Sequence, residues 1–234
     1  MIPFVDIHTH FTKTDDEHVV FIKNFTQNEW INAAYTVAER NPNFIGRKGH
    51  FASVGLHPWF LTKQNAENDF EKLSEWVKNP SVIAIGECGL DKLKGVDLAT
   101  QTVYFTKQIQ LAEIVGKPVV IHCVRAYNEV FVLKKTLKPT VPLIIHGFNK
   151  NQKVLDELLK NGFFISIGAA ILRGGDDFKN SVLTIPLDKL FFETDDKDIA
   201  IESVYKAYSE LAKMSLSDLK SVIYQSFEKT FSKT

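Results

Sequence analysis

Short apolar runs alternate with longer amphipathic ones along the whole chain. Strands buried on both faces read as continuous apolar runs, and helices that cover a sheet read with a 3.6-residue period, so the alternation predicts repeated strand–helix units around a parallel sheet. Runs rich in β-branched and aromatic residues mark eight expected strands: Ile2 to Ile7, Val19 to Phe25, Phe51 to Leu56, Val82 to Gly86, Val119 to Cys123, Leu143 to His146, Phe163 to Ile167 and Leu190 to Glu193. Leu98 to Val115 sets Leu98, Phe105, Ile109 and Ala112 on one helical face, and Gly116-Lys117-Pro118 stops it. Further helical patterns cover Asn28 to Arg40, Asp69 to Val77, Tyr127 to Leu137, Asn151 to Asn161, Ile199 to Lys213 and Ser217 to Phe231, with a weak one over Arg173 to Leu183. Phe11 to His18 is too short for a crossover helix of about a dozen residues, so the first helix is expected to be shortened or missing.

Nothing along the 234 residues reads as a linker or a repeat, which predicts one domain over 1–234. Eight parallel strands in that length favour a (β/α)8 TIM barrel over a doubly wound sheet, although periodicity alone admits both. Composition narrows the function. With 44% hydrophobic residues the chain fills a sizeable core, and 28 Lys+Arg balance 28 Asp+Glu. A neutral chain argues against a broad basic face that tracks duplex phosphates, so an anionic substrate must be held locally. No run approaches the roughly 18 apolar residues of a membrane helix, and Met1 to His10 lacks a basic segment followed by a long apolar one, so a cytoplasmic location is expected. The only two cysteines, Cys88 and Cys123, lie in apolar runs and read as free thiols in a reducing compartment.

Five of the seven histidines fall at or just beyond the C-terminal end of an expected strand: His8, His10, His57, His122 and His146. His18 and His50 precede strands and read as solvated or helix-capping. In Asp6-Ile7-His8-Thr9-His10 an extended chain turns Asp6, His8 and His10 to one face, and two imidazoles about 7 Å apart on one strand can grip one metal ion. Glu87 follows an apolar strand between Gly86 and Gly89; buried there, a carboxylate needs cations or strong donors, and the glycines let backbone approach closely. Taken alone, Glu87 also reads as one arm of a salt bridge across the barrel mouth. Val119 to His122 and Leu143 to His146 repeat one design, an apolar strand that ends in histidine, where a single instance is more often a satisfied core residue. Leu190 to Asp196 ends the last strand in acids.

Spacing joins these signals. The intervals His10 to His57, His57 to Glu87, Glu87 to His122, His122 to His146 and His146 to Asp195 are 47, 30, 35, 24 and 49 residues. With about 25–30 residues per strand–helix unit, they correspond to two, one, one, one and two units, so every candidate emerges at the same C-terminal rim, where sites of this fold are built. Imidazoles with carboxylates form a mixed N/O donor set suited to two divalent ions, Zn, Mn or Mg, with Glu87 able to bridge them and a shared water acidified between them. Two such ions against Glu87, Asp195 and a hydroxide leave about one positive charge, which matches an anionic phosphoester unless Asp6 cancels it.

These residues resemble the TatD family of metal-dependent hydrolases, a branch of the amidohydrolase-like barrels. The likeness runs through Asp6 to His10, Gly55 to Pro58, Ile85 to Asp91, Lys117 to Ala126, Ile144 to Phe148 and Glu193 to Asp195. It implies a (β/α)8 barrel that hydrolyses phosphoester bonds, commonly in DNA, at a divalent-metal centre. It further implies that His8, His10, Glu87 and Asp195 hold one ion while Glu87, His122 and His146 serve the second. Asp195 and Glu87 then carry the catalysis, Asp195 orienting or deprotonating the water. His57 and, more weakly, Arg125 face the substrate phosphate, with a supporting hydrogen-bond role for His57 equally open; Asp91 fixes a turn. The chain departs from the family pattern at His146-Gly147-Phe148-Asn149 and at Asp196 to Ala200, where a proline- and arginine-containing loop is replaced.

The first reading is therefore a metal-dependent phosphoesterase, a deoxyribonuclease or 3′-5′ exonuclease-like activity on single-stranded or short nucleic acid ends, or on a small phosphodiester. An amide or lactone hydrolase is the second, since the same centre can attack carbon. A metal-binding scaffold without turnover is the third. Trp59 and Phe60 read as rim packing before base stacking.

Overall fold

The computed structural model describes residues 2–11, 18–31 and 49–231. Eight strands follow in order: β1 (Phe4–Thr9), β2 (Val19–Phe25), β3 (His50–Val54), β4 (Val82–Asp91), β5 (Val119–Val124), β6 (Leu143–Ile145), β7 (Phe164–Ile167) and β8 (Leu190–Phe192). Each pairs in parallel with the next, so spatial order equals chain order. Just beyond β8, Asp195 bridges back to Thr9: its N–H donates to the His8 carbonyl at 2.9 Å and its carbonyl accepts the His10 N–H at 3.0 Å. The sheet is thus a nearly closed TIM barrel, as the alternating pattern predicts.

The described helices are α1 (Gln27–Ile31), α2 (Ala66–Trp76), α3 (Leu98–Val115), α4 (Tyr127–Leu137), α5 (Gln152–Lys160), α6 (Ala170–Arg173), α7 (Asp176–Val182), α8 (Ile201–Ala212) and α9 (Leu216–Phe231). Helix α3 starts where Asp97 accepts the Thr100 N–H at 2.9 Å and stops at Gly116, whose φ of 70° an L-residue side chain would resist. It buries Phe105, Ile109 and Ala112, the face the sequence predicts, together with Gln101 and Gln108. The core lies between strands and helices, built from residues such as Ile7, Phe21, Ile85, Ile121, Phe191 and Tyr205, all fully buried.

Several boundaries differ from the sequence pattern. The weak helical stretch from Arg173 to Leu183 is broken at Gly174-Gly175 into α6 and α7. Helix α1 covers the start of the expected Asn28 to Arg40 helix, and residues 32–40 lie outside the described ones. The expected short crossover, Phe11 to His18, falls largely on residues 12–17, also outside them; β1 ends at Thr9 and β2 begins at Val19. His50 opens β3, buried with its ring 4.5 Å from that of Phe21, and is neither solvated nor a helix cap. The largest change is in β4, which continues past Gly86 to Asp91. Gly86 and Gly89 have φ of +153° and +147°; a Cβ on Gly86 would stand 2.7 Å from the Val120 carbonyl oxygen, and one on Gly89 would overlap the His122 carbonyl. Only glycine lets β4 run this close to β5.

Both cysteines are free, and burial pushes their thiols up, Cys123 to about 12, so neither is a thiolate nucleophile near neutral pH. Among the described residues no helix is long and apolar enough to cross a membrane.

Candidate metal centre

The site lies at the C-terminal rim of the barrel. β1 delivers His8 and the residue just past it is His10; the turn after β3 delivers His57, β4 Glu87, β5 His122, and the residues just past β6 and β8 are His146 and Asp195. A register shift between Asp6 and Thr9 breaks the simple alternation of β1. Asp6 therefore does not share the pocket with His8 and His10: its two oxygens accept the N–H and hydroxyl of Thr194, at 3.0 and 2.7 Å, and Thr9 contacts the same hydroxyl.

Glu87 is the hub, 5% exposed. Its Oε2 lies 3.4 Å from His8 Nε2 and 3.8 Å from His10 Nε2. Its Oε1 lies 2.7 Å from His122 Nδ1, 2.8 Å from His146 Nε2 and 3.1 Å from His57 Nε2. Asp195 Oδ1 is 3.5 Å from both His8 Nε2 and His10 Nε2, on the open side of the pocket. Asp195 itself takes a φ of 54°, a conformation aspartate tolerates better than most residues, and the two backbone bonds to β1 hold it there.

The residues fit divalent ions. His8 is fully buried, yet neither ring nitrogen has a hydrogen-bond partner. Two donors bound at about 2.1 Å by one tetrahedral ion sit about 3.4 Å apart. That is the spacing His8 Nε2 keeps from Glu87 and Asp195, too long for good hydrogen bonds. Three donor sets each lie within 4.8 Å: His8 with His146 and Asp195, His8 with His10 and Glu87, and His57 with Glu87 and His122. His146 stands between the two halves, its ring 4.5 Å from His8 and 5.9 Å from His122.

Charge follows geometry. Burial and His146 oppose a proton on His8, but the Asp195 and Glu87 carboxylates outweigh them and lift it to about 9. Burial likewise opposes a charge on His146, and Glu87 and Glu193 raise it well above its usual value. Burial would raise both carboxylates; His146, His10 and His122 hold Glu87 well below the normal range, and His8 and His146 hold Asp195 at about 2. Burial lowers His57, with Glu87 offsetting only part. Protons thus occupy the positions a metal cation would take.

Behind the donors stands a layer that sequence reasoning missed in part. Asp91 Oδ2 lies 3.1 Å from His122 Nε2, and Glu193 Oε1 lies 3.4 Å from His146 Nδ1 while accepting the Gly147 N–H at 2.7 Å. Each imidazole facing Oε1 from β5 and β6 has an acid behind it, the usual way a ligand's tautomer is fixed. Asp91 also fixes the turn as expected, its Oδ1 accepting the Leu93 and Lys94 N–H groups. For Asp91 the available signal was parity, since residues 87 and 91 lie four apart along β4; Glu193, just past the end of β8, carried no such signal. Asn24, at the end of β2, accepts the Glu87 N–H at 2.8 Å and the Ser53 hydroxyl at 3.1 Å. From α3, Gln108 pairs with both backbone groups of Leu56, and Gln101 with both of Asp91. No motif announces these three.

A cavity of 260 Å³ opens above Glu87; its wall includes Phe25, Trp59 and Phe60 and, among the described residues, no lysine or arginine. Arg125 follows β5 with a φ of 52°, is exposed, and forms no part of that wall.

A parallel barrel whose rim gathers imidazoles and carboxylates around one buried glutamate has the build of the metal-dependent hydrolase barrels. Within that class the chain belongs to the TatD family: the profile described as TatD related DNase matches residues 5–232. A protein of Edwardsiella piscicida named 3′-5′ ssDNA/RNA exonuclease TatD is 32% identical over 166 residues, covering 69% of this chain and 62% of that one. One of Buchnera aphidicola subsp. Baizongia pistaciae, named an uncharacterized metal-dependent hydrolase, is 27% identical over 189 residues, covering 74% and 69%. The chain spans somewhat under two thirds of the length of the exonuclease relatives it matches. A solved structure of a TatD homolog from Escherichia coli K12 superposes over 100% of both chains with a TM-score of 0.82 at 22% identity, which supports the fold.

Proposed function

We propose that the chain is a two-ion phosphoesterase that trims the end of a single-stranded or short nucleic acid, and that it works in the cytoplasm. The observation that carries this reading is the division of one buried carboxylate, Oε2 toward His8 and His10 and Oε1 toward His57, His122 and His146. One ion is held by His8, His10, Glu87 and Asp195, the other by Glu87, His122 and His146; nitrogen and oxygen donors suit Zn, Mn or Mg. The chemistry bound divalent ions supply is positive charge beside a phosphoryl oxygen and a more acidic water.

The protein's own groups do the rest. Asp195, ionised and on the open side, orients the attacking water and accepts its proton. His57 Nδ1 accepts the Trp59 backbone N–H at 3.1 Å, which leaves the neutral ring's proton on Nε2. That N–H meets Glu87 Oε1 at 3.1 Å, so the ring offers a donor to an oxygen, of Glu87 or of a substrate phosphate, rather than a lone pair to an ion. Among the described residues the pocket wall carries no lysine or arginine, which favours one terminal phosphodiester over a duplex tracked through many phosphates. Arg125, exposed and outside the wall, has no role in this scheme. The exonuclease names of relatives about 30% identical support the nucleic-acid substrate and the 3′-to-5′ direction.

The test is cleavage of 3′- and 5′-labelled single strands, alongside a panel of carbonyl esters and lactones, by protein loaded with Mn, Mg or Zn. Stepwise loss of nucleotides, reduced at least about a thousandfold in Glu87→Gln, is the expected result. Turnover that survives in Glu87→Gln, or confined to the carbonyl panel, overturns the reading.

A further inference from the structure

Trp59 stands at the pocket mouth, 39% exposed, where an aromatic ring invites assignment as a platform for a base. Its surroundings point elsewhere. The Lys94 Nζ lies 3.6 Å from the centroid of the indole and covers one of its faces. The ring meets the two nearest histidines at steep angles, His57 at 4.9 Å and 79° and His122 at 5.4 Å and 77°. Its Nε1–H donates to Asp91 Oδ2 at 2.6 Å, the oxygen that lies 3.1 Å from His122 Nε2. Asp91 is otherwise fully engaged: Oδ1 accepts the Leu93 and Lys94 N–H groups, and Gln101 holds both its backbone groups.

We infer that Trp59 is a positioning residue for the second ion, acting through Asp91 on His122. The inference rests on the two-ion reading and adds to it a residue that touches no ligand atom of Glu87. The physical case is one of constraint. A carboxylate oxygen shared between a short indole bond and an imidazole has its lone pairs directed by both, so the indole fixes where Asp91 can accept the His122 Nε2–H. With Nε2–H committed to Asp91, Nδ1, which meets Glu87 Oε1 at 2.7 Å, is the His122 nitrogen left to turn toward an ion. Loss of the indole N–H frees Oδ2 to shift and relaxes the angle of the ring at the metal.

The probe is Mn²⁺ titrated calorimetrically into metal-free wild type, Trp59→Phe and Trp59→Ala, with KM for a labelled single strand measured at saturating Mn²⁺. Trp59→Phe keeps an aromatic ring under Lys94 and deletes the N–H. Expected are two binding steps in the wild type and one step weakened about tenfold or more in Trp59→Phe, the range typical of outer hydrogen-bond partners of ligands. The other step and KM stay at wild-type values. Asp91→Asn, which retains a side-chain oxygen, weakens the same step. Two unchanged steps in Trp59→Phe overturn the relay alone, and a rise in KM confined to Trp59→Ala then marks the ring as a stacking surface instead. A wild type that binds no divalent ion overturns the two-ion reading and the relay with it.

Discussion

Metal-free protein should become less stable, relative to the metal-loaded form, as pH rises from about 6.5 to 9. The cause is His8, fully buried and lifted from 6.5 to about 9 by Asp195 and Glu87 against the opposing pull of burial. A folded pKa above the unfolded one gives stability that is complete below 6.5 and lost as pH climbs through 9. At about 1.4 kcal/mol per pH unit this is about 3 kcal/mol, and full burial means solvent screening does not reduce it. For a chain of this length it corresponds to roughly 6–12 °C in Tm. His146 shifts in the same direction and enlarges the effect. Asp195, held at about 2, gives stability that is lost only in acid and is constant across this window. Lys134, half-buried and lowered to about 8 by burial and Lys189, works the other way, since its cost in the fold is relieved as pH rises. Far from the pocket, it cancels in the difference between the two forms. A metal ion takes the His8 lone pair in place of the proton, so the loaded form does not lose this stability. The assay is melting at pH 6, 7, 8 and 9 in chelator and in excess Mn²⁺, and a gap that stays constant or narrows with pH refutes the reasoning.

Glu87→Gln should bind less than one ion per chain by elemental analysis and should narrow the pH-dependent gap, because His8 and His146 each lose one of the two carboxylates that raise them; near-normal metal content would contradict the hub role. Asn24→Ala leaves the buried Glu87 N–H without its acceptor and should cost about 1–3 kcal/mol in urea unfolding. A change within about 0.5 kcal/mol would show that water or a neighbour replaces it. Gly89→Ala forces a side chain into a φ of +147° and onto the His122 carbonyl, at a cost of about 3 kcal/mol or more by denaturation. An alanine variant as stable as the parent would disprove the close approach of β4 to β5.

The barrel was legible because its strands are apolar runs and its helices periodic, so burial writes element order directly into the sequence. What the pattern hid were the places where the backbone departs from ideal pleating. β4 continues through Gly86, Glu87, Cys88, Gly89, Leu90 and Asp91, all buried, although a run that includes Glu, two glycines and Asp has the composition of a loop. The two acids pair with imidazoles, which offsets the cost of burying them, and such pairing is long-range information. For the same reason His50 reads as polar and lies in the core, and Asp6 reads as a pocket residue and bonds Thr194. His57, His122, His146, Glu87 and Asp195 could be placed at one rim because each closes or follows an apolar run in the sequence, a property of local order. Asn24, Gln101 and Gln108 could not, since a single amide in an amphipathic stretch carries no period and no charge.

The register shifts give those local and long-range levels a common origin. β1 slips between Asp6 and Thr9, and β4 between Ile85 and Cys88, so the strands lose ideal pairing at the segments that carry His8 and Glu87. An ideal strand alternates its side chains strictly, and on such a strand His8 and Asp6 would compete for one face of the pocket. Across the shifted segment Asp6 bonds Thr194, while His8 faces Glu87 and Asp195. Keeping Asp6 off the ligand positions matters for charge: with Glu87 and Asp195 facing the histidines, Asp196 in the wall and Asp91 and Glu193 behind His122 and His146, one more carboxylate beside the ions would erode the positive charge an anionic phosphodiester requires. Restoring regular pairing in β1 would therefore be expected to weaken substrate binding more than metal binding, because an added carboxylate attracts the ions while it repels the phosphate.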